Sequence, residues 1–466
     1  MIAVTEGFRV PLSILLPVLL VLGLLLVVRR RMPVVFWWVI GYPVAALRVL
    51  VSYRDTMDAC GLTVPASAVR RATARMVGRQ AAPVPPRRSF PLPTGSGLVM
   101  RLRMAAGQAP EDFMASADRL RHAWGVHAVY VRTTKPGRLE LRLVGWDVLA
   151  EVRPARRRPG SDSMCLPLAL REDGEWHVRD FRTVPHELIL GATQSGKSVY
   201  LRNLLCGLAR QSVVLVGIDC KWGVELAPFA PRLSALADTP DRADELLDVL
   251  VDEMEARFRL IGLRSGAGSG AGPDAVLTSD VWGLPEAVRP VPVVVVVDEV
   301  AELFLAANRD DEKRRDAMVT KLIRLAQLGR AAGIYLEVCG QRFGSELGKG
   351  ATMLRAQLTG RVCHRVNDEA SANMALADIS PEAALAATAI PAERPGVAVV
   401  GDSSGGWSRV RAPHFTLAEA AAVCRDTAAL MPDLPRLDSF RPAVAVESAV
   451  PSSATAAVPT AQPVTE

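Results

Sequence analysis

Two short stretches of this 466-residue sequence carry side chains suited to act on a phosphate chain. In LILGATQSGKS (188–198) an apolar strand pattern runs straight into Gly191-x-x-x-x-Gly196-Lys197-Ser198, and the helical pattern VYLRNLLCGLA follows. That spacing matches the phosphate-binding loop, whose glycines let the backbone wrap so that N–H groups and a helix N-terminus meet phosphate oxygens. Lys197 is placed to reach the β and γ phosphates of a nucleotide, and the Ser198 hydroxyl to ligate Mg2+. The expected nucleotide contacts are Gly191, Ala192, Thr193, Gln194, Ser195, Gly196, Lys197, Ser198 and Val199. In VPVVVVVDE (291–299) a wholly apolar run ends in Asp298 and Glu299. Such a run belongs in the middle of a sheet covered on both faces. Asp298 is then expected beside the loop as the second metal support, and Glu299 as the carboxylate that polarises an attacking water. The plainer alternative is a pair of acids that only caps the following helix.

Two further strand ends are polar. SVVLVGID closes on Asp219, with Lys221 two residues on, and IYLEVCGQR (334–342) carries Gln341 to where it would meet the γ phosphate or the water. Polar residues are common in loops, so neither signal stands alone.

The elements that must hold these groups follow from the pattern. From 165 to 412 strand, glycine loop, helix and strand alternate, which predicts an α/β domain with a mostly parallel sheet. Residues 90–164 read as a small α+β domain: LVMRLRM alternates, 110–123 has helical spacing, and AVYVRTT with LELRLVGW form a hairpin around Lys135–Pro136–Gly137. Residues 59–89 are Arg- and Pro-rich and read as a linker whose charge suits anionic lipid or DNA. A short helical extension is expected over 413–440 and a disordered tail over 441–466. The glycine-rich stretch 262–273 reads as a mobile insertion with no assigned role.

Residues 1–58 read as a membrane anchor. The run 10–28 has no ionisable side chain, and 19 residues at 1.5 Å rise span roughly 28 Å, a bilayer's hydrocarbon thickness. Arg29, Arg30 and Arg31 follow at once, which predicts a cytoplasmic location for everything beyond them. The apolar stretch 33–47 is short and broken by Gly41 and Pro43. It fits either a second span or a segment at the interface or against the first helix, and topology stays open between one pass and two.

Composition excludes several classes. Half the residues are hydrophobic and 22% charged, so the chain is not globally disordered. Seven Cys with no Cys-x-x-Cys pair support neither a disulfide scaffold nor a Cys-based zinc site. The formal charge of +6 is too mild to argue for a nucleic-acid partner. Only six of the 55 basic residues are Lys, which makes each Lys worth locating.

HELILGATQSGKS (186–198), VGIDCKWGVEL (216–226), DEMEARF (252–258), VVVVDEVAELF, RLAQLGRAAGIYLEVCGQR (324–342) and LRAQLTGRVCHRV (354–366) together resemble the FtsK/SpoIIIE family of DNA-translocating ATPases. The anchored layout is closest to actinobacterial conjugal transfer proteins. The resemblance covers about half the chain. It implies a P-loop NTPase (RecA-like) motor using ATP and Mg2+, assembled as a hexameric ring in the cell membrane, with its motor domain in the cytoplasm and double-stranded DNA in its channel. A separate DNA-loading or transfer-accessory protein is an expected partner, since no winged-helix domain is evident. By the same resemblance Gln341 is the sensor, with Gly340 in place of the family's Thr. Arg330 is the trans-acting finger, and Asp219 and Lys221 form the Asp-x-Lys segment. Gln194 stands where the family usually has Gly, and RFGSELGKG replaces a Pro-containing loop after Gln341. A protein-secretion ATPase and a chromosome-segregation pump are the alternative functions.

Overall fold

A computed structural model describes residues 31–78, 80–150, 163–264, 277–344 and 347–443, together with 20, 23 and 25–28. Most of the apolar run 10–28 lies outside the described residues, as do most of the 262–273 insertion and the tail after 443. Among the described residues no helix is long and apolar enough to cross a membrane. The chain divides into two compact units. The first takes residues up to Asp180 with Ile189–Leu204 and Gly360–Phe415; the second takes Phe181–Leu188, Leu205–Thr359 and the residues from Thr416 on.

In the first unit, a short helix Pro33–Phe36 and a π-helical turn Trp37–Gly41 lead into α1 (Tyr42–Ala59), and α2 (Ala68–Met76) follows. A small antiparallel sheet is built from β1 (Arg87–Arg88), β2 (Leu92–Pro93), β3 (Gly97–Arg103), β4 (Ala128–Lys135) and β5 (Arg138–Val144). The strand order is β1-β3-β5-β4, with β2 also on β3. Strand periodicity sorts the side chains: Leu98, Met100 and Leu102 of β3 and Leu139, Leu141 and Leu143 of β5 are buried, while the Arg residues between them are not. Helices α3 (Pro110–Ala115) and α4 (Ala117–Trp124) add Phe113, Leu120 and Trp124 to this core. So does α1, whose Val49, Tyr53 and Met57 recur every four residues and share one face. The Tyr53 hydroxyl donates to the Pro86 carbonyl at 2.8 Å, and Trp37 Nε1 donates to the Gly97 carbonyl at 3.1 Å. The Trp37 ring lies so close to Gly41 and Gly145 that a Cβ on them would approach it to 2.5 and 2.3 Å. Thus 33–47, left open between span and interface by the sequence, enters a helix that packs on the small sheet.

Downstream come β6 (Cys165–Arg171), β7 (Trp176–Asp180), β8 (Glu187–Leu190), β9 (Val214–Ile218) and β10 (Ala235–Ala237). They are followed by β11 (Val293–Val297), β12 (Ile334–Gly340), β13 (Gly360–His364), β14 (Val397–Gly401) and β15 (Trp407–Arg411). In the first unit the order β13-β14-β15-β6-β7 is antiparallel at every pairing. The sheet expected to be mostly parallel therefore includes an antiparallel part. Residues 402–406 between β14 and β15 leave no room for a crossover helix, so the strands form a hairpin.

The second unit does hold the parallel part, in the order β10-β9-β11-β12. Its crossovers are α6 (Pro240–Arg264), between β10 and β11, and α7 (Arg309–Ala332), between β11 and β12. All five valines of β11 are buried, as a strand covered on both faces requires. Asn308 caps α7 by accepting from the Asp310 and Asp311 amides, and Gly333 closes it with a left-handed φ of 69°.

Candidate functional site

The loop 191–196 and the start of α5 (Lys197–Ala209) belong to the first unit. The loop is strapped within that unit: Ala192 N donates to the Arg365 carbonyl at 2.9 Å, and Gly396 N to the Ser195 carbonyl at 2.8 Å. Gly196 has φ 105°, and a Cβ there would come to 2.3 Å from the Gly396 amide, so only glycine fits this turn. Gln194, where the family resemblance expects Gly, takes a left-handed φ of 62° and is exposed, as is Thr193. The Ser195 hydroxyl is buried and has no hydrogen-bond partner among the described residues. An unpaired buried hydroxyl, a tight glycine turn and the start of a helix are what a chain of phosphates requires, and the residues present fit a nucleoside triphosphate. Beneath the loop His364 is fully buried, its ring 5.8 Å from that of Tyr200. Burial pushes its imidazole down to about 4, opposed by the hydrogen bond with the Val397 carbonyl and reinforced by the charge of Lys197.

The acidic residues lie in the second unit, at the carboxyl ends of three adjacent parallel strands. The register sets Val297 of β11 opposite Ile218 of β9 and Val338 of β12, so Asp298, Asp219 and Gln341 follow at the same edge. Asp298 and Glu299 are 4% and 8% exposed. Glu299 Oε1 accepts from the Gln341 amide at 3.2 Å. Gln341 therefore holds Glu299 through its backbone, while its side chain is exposed. A Cβ on Gly340 would stand 3.3 Å from Glu299 Oε1, so the small residue leaves this carboxylate room.

Lys221 supplies a counter-charge. Its Nζ is 3.6 Å from Asp298 Oδ2 and 3.7 Å from Glu299 Oε2. Burial works against its charge, but Asp298, then Glu299, Glu302 and Asp219 outweigh burial and raise its pKa above the ordinary Lys value. Asp219 directly follows β9. Its carboxylate accepts from the amides of Lys221, Glu225 and Leu226 at 2.9–3.2 Å and so shapes the turn that presents Lys221. Among the described residues no cluster of three or more His, Cys, Asp or Glu could hold a metal by itself. Mg2+ needs none, because it is usually held by one or two carboxylates with phosphates and water, and Asp298 fits that part.

Arg330 is not brought to these acids. It is exposed in the last turn of α7, and its carbonyl accepts from Gly333, whose own carbonyl accepts from Val293 at the amino end of β11. Arg330 and Glu299 thus stand at opposite ends of the same strand. Lys349, in the loop after β12, is exposed.

The sequence profile of the FtsK/SpoIIIE family matches residues 148–345, and that of the actinomycete conjugal transfer protein N-terminal domain matches residues 25–145. The transfer protein TraSA of Streptomyces ambofaciens is 58% identical over 416 residues, covering 88% of this chain and 99% of that protein. The DNA translocase FtsK of Streptococcus pneumoniae is 31% identical over 213 residues, 43% of this chain and 26% of that longer protein. Among solved structures, the pCW3 conjugation coupling protein TcpA, in monomer form with ATPγS, superposes with a TM-score of 0.52 at 18% identity, over 76% of this chain and 98% of that one. That superposition shows a shared fold. The chain belongs to the actinomycete conjugal transfer proteins that carry an FtsK/SpoIIIE domain, and it is an ATPase.

Proposed function

We propose that this ATPase is a membrane-anchored ring, a hexamer, that moves double-stranded DNA from cell to cell. The observation that carries the reading is the match to a transfer protein over nearly the whole of both chains, with the two family profiles in order along this one. The anchor is assigned to 10–28, supported by three Arg directly after an uncharged run, with the motor domain cytoplasmic.

In this reading the backbone of residues 191–196 and the first turn of α5 bind the phosphates, and Lys197 neutralises the β and γ oxygens. Ser198 and Asp298 hold Mg2+, which when bound draws charge away from the phosphate being cut. Glu299 orients and deprotonates the attacking water, and the Gln341 amide keeps its carboxylate in place. Arg330 completes the site of a neighbouring subunit.

The test is ATP turnover by the full chain with and without long linear duplex DNA. We expect strong stimulation by duplex, little by single strands, and loss of turnover by at least about 100-fold in Lys197→Ala and Glu299→Gln. Turnover indifferent to every nucleic acid would rule the DNA motor out and turn attention to a polypeptide cargo.

A further inference from the structure

We infer that the exposed face of the small sheet is a second, nucleotide-independent contact for the backbone of duplex DNA; the inference rests on the DNA-transfer reading above. The register joins four cations in one row. Arg87 of β1 lies opposite Arg103 of β3, Arg103 opposite Arg138 of β5, and Arg138 opposite Lys135 of β4. Directly opposed residues share a face, and like charges there repel, so such a row destabilises the sheet that carries it. These four side chains are exposed and make no ion pair among the described residues.

Their surroundings do not neutralise them. They line a concavity of about 590 Å3 in which the one acid among the described residues is Glu140, already shared by Arg101 at 3.7 Å and Arg142 at 3.9 Å. Arg88 on the same rim adds another positive charge, over the Tyr53 ring. Three strand spacings of about 4.8 Å make the row roughly 14 Å long, enough for several phosphates of a duplex. Among the described residues no aromatic side chain lines the concavity, so it offers nothing for unpaired bases to stack on, which favours double over single strands.

Anionic lipid is the competing polyanion, and position argues against it. Trp37, nine residues beyond Val28, is fastened to Gly97 at one end of β3, while Arg103 lies at the other end. Six residue steps of about 3.3 Å, from Gly97 to Arg103, place the row roughly 20 Å from that attachment, more than twice the Debye length of about 8 Å over which a charged bilayer surface acts.

The experiment measures binding of the full chain in nanodiscs to a labelled 30-base-pair duplex, without nucleotide, as salt is raised. The comparison is the fourfold variant Arg87→Gln, Arg103→Gln, Lys135→Gln and Arg138→Gln. Every cation that no longer neutralises a phosphate should lower the log–log salt slope by about 0.9, so the variant's slope should fall by up to about 3.6 and its affinity at least about tenfold. Because repulsion is relieved, it should melt no lower than the parent; if it fails to fold, Arg138→Gln alone, with a slope change of about 0.9, decides the matter. An unchanged slope with wild-type turnover on duplex overturns this inference and leaves the motor reading intact. Loss of binding to vesicles rich in anionic lipid, with duplex binding unchanged, also overturns it. A parent chain with no affinity for duplex at all sinks both.

Discussion

Two neighbouring carboxylates under 10% exposed require positive charge, and Lys221 supplies some of it within the second unit. Removing it takes that charge away from Asp298 and Glu299. Lys221→Met should therefore lower stability in the absence of Mg2+, by only about 1 kcal/mol because the Lys side chain is 41% exposed and partly screened. Added Mg2+ should restore the loss by supplying the missing charge. Urea unfolding with EDTA and then with Mg2+ measures both, and equal stability of variant and parent in EDTA would refute the pairing. The sign of its pH dependence follows from the raised pKa. The contribution is complete below the unfolded Lys value of about 10.5 and vanishes as pH rises through the higher folded value, so it is constant across neutral pH. Lys221 was legible because it stands two residues beyond a strand ending in Asp. Its partners were not, since they are 77 and 78 residues away and only the β9–β11 register makes them neighbours.

Elements differ in how much of them sequence reveals. Strand β8, the glycine loop and α5 are contiguous, so their order can be read directly, and the all-valine β11 declares its burial. Of the antiparallel pairings among β13, β14, β15, β6 and β7, that of β15 with β6 joins segments far apart in the chain, and apolar periodicity does not encode strand direction in any of them. The packing of α1 was hidden for another reason. Its buried Val49 and Met57 and its exposed Val44, Leu47 and Val51 are equally apolar, and hydropathy does not tell a face on the small sheet from one elsewhere. The two faces should respond differently to substitution. Met57→Ala empties a fully buried site and should cost about 2–5 kcal/mol, whereas Val51→Thr, at a position 76% exposed, should change stability by less than about 0.5 kcal/mol. Urea unfolding of the two variants distinguishes them, and equal losses would contradict the packing of α1.

At the scale of the whole molecule, the placement of Arg330 bears on assembly. β11 runs five residues from the end where Arg330 lies to the end where Asp298 begins, about 16 Å at 3.3 Å per residue. A guanidinium that far from its own subunit's acids cannot stabilise charge on a phosphate cut there, but in a ring it can face a neighbour's nucleotide. Arg330→Ala and Lys197→Ala should then each abolish turnover alone and complement each other when mixed. A boundary built from the loop of an Arg330→Ala subunit and the arginine of a Lys197→Ala subunit has both groups. Random assembly of equal amounts makes roughly a quarter of boundaries of that kind, so turnover should return to about that fraction of wild type when sites fire independently, and to less when firing is coupled. The mixture must be assembled from dissociated subunits on duplex DNA so that exchange is complete. Recovery above both parents would show that the arginine acts between subunits. A mixture as inactive as its parents, under conditions where wild-type and Lys197→Ala subunits demonstrably co-assemble, would mean that Arg330 serves its own chain and that α7 must move to bring it there.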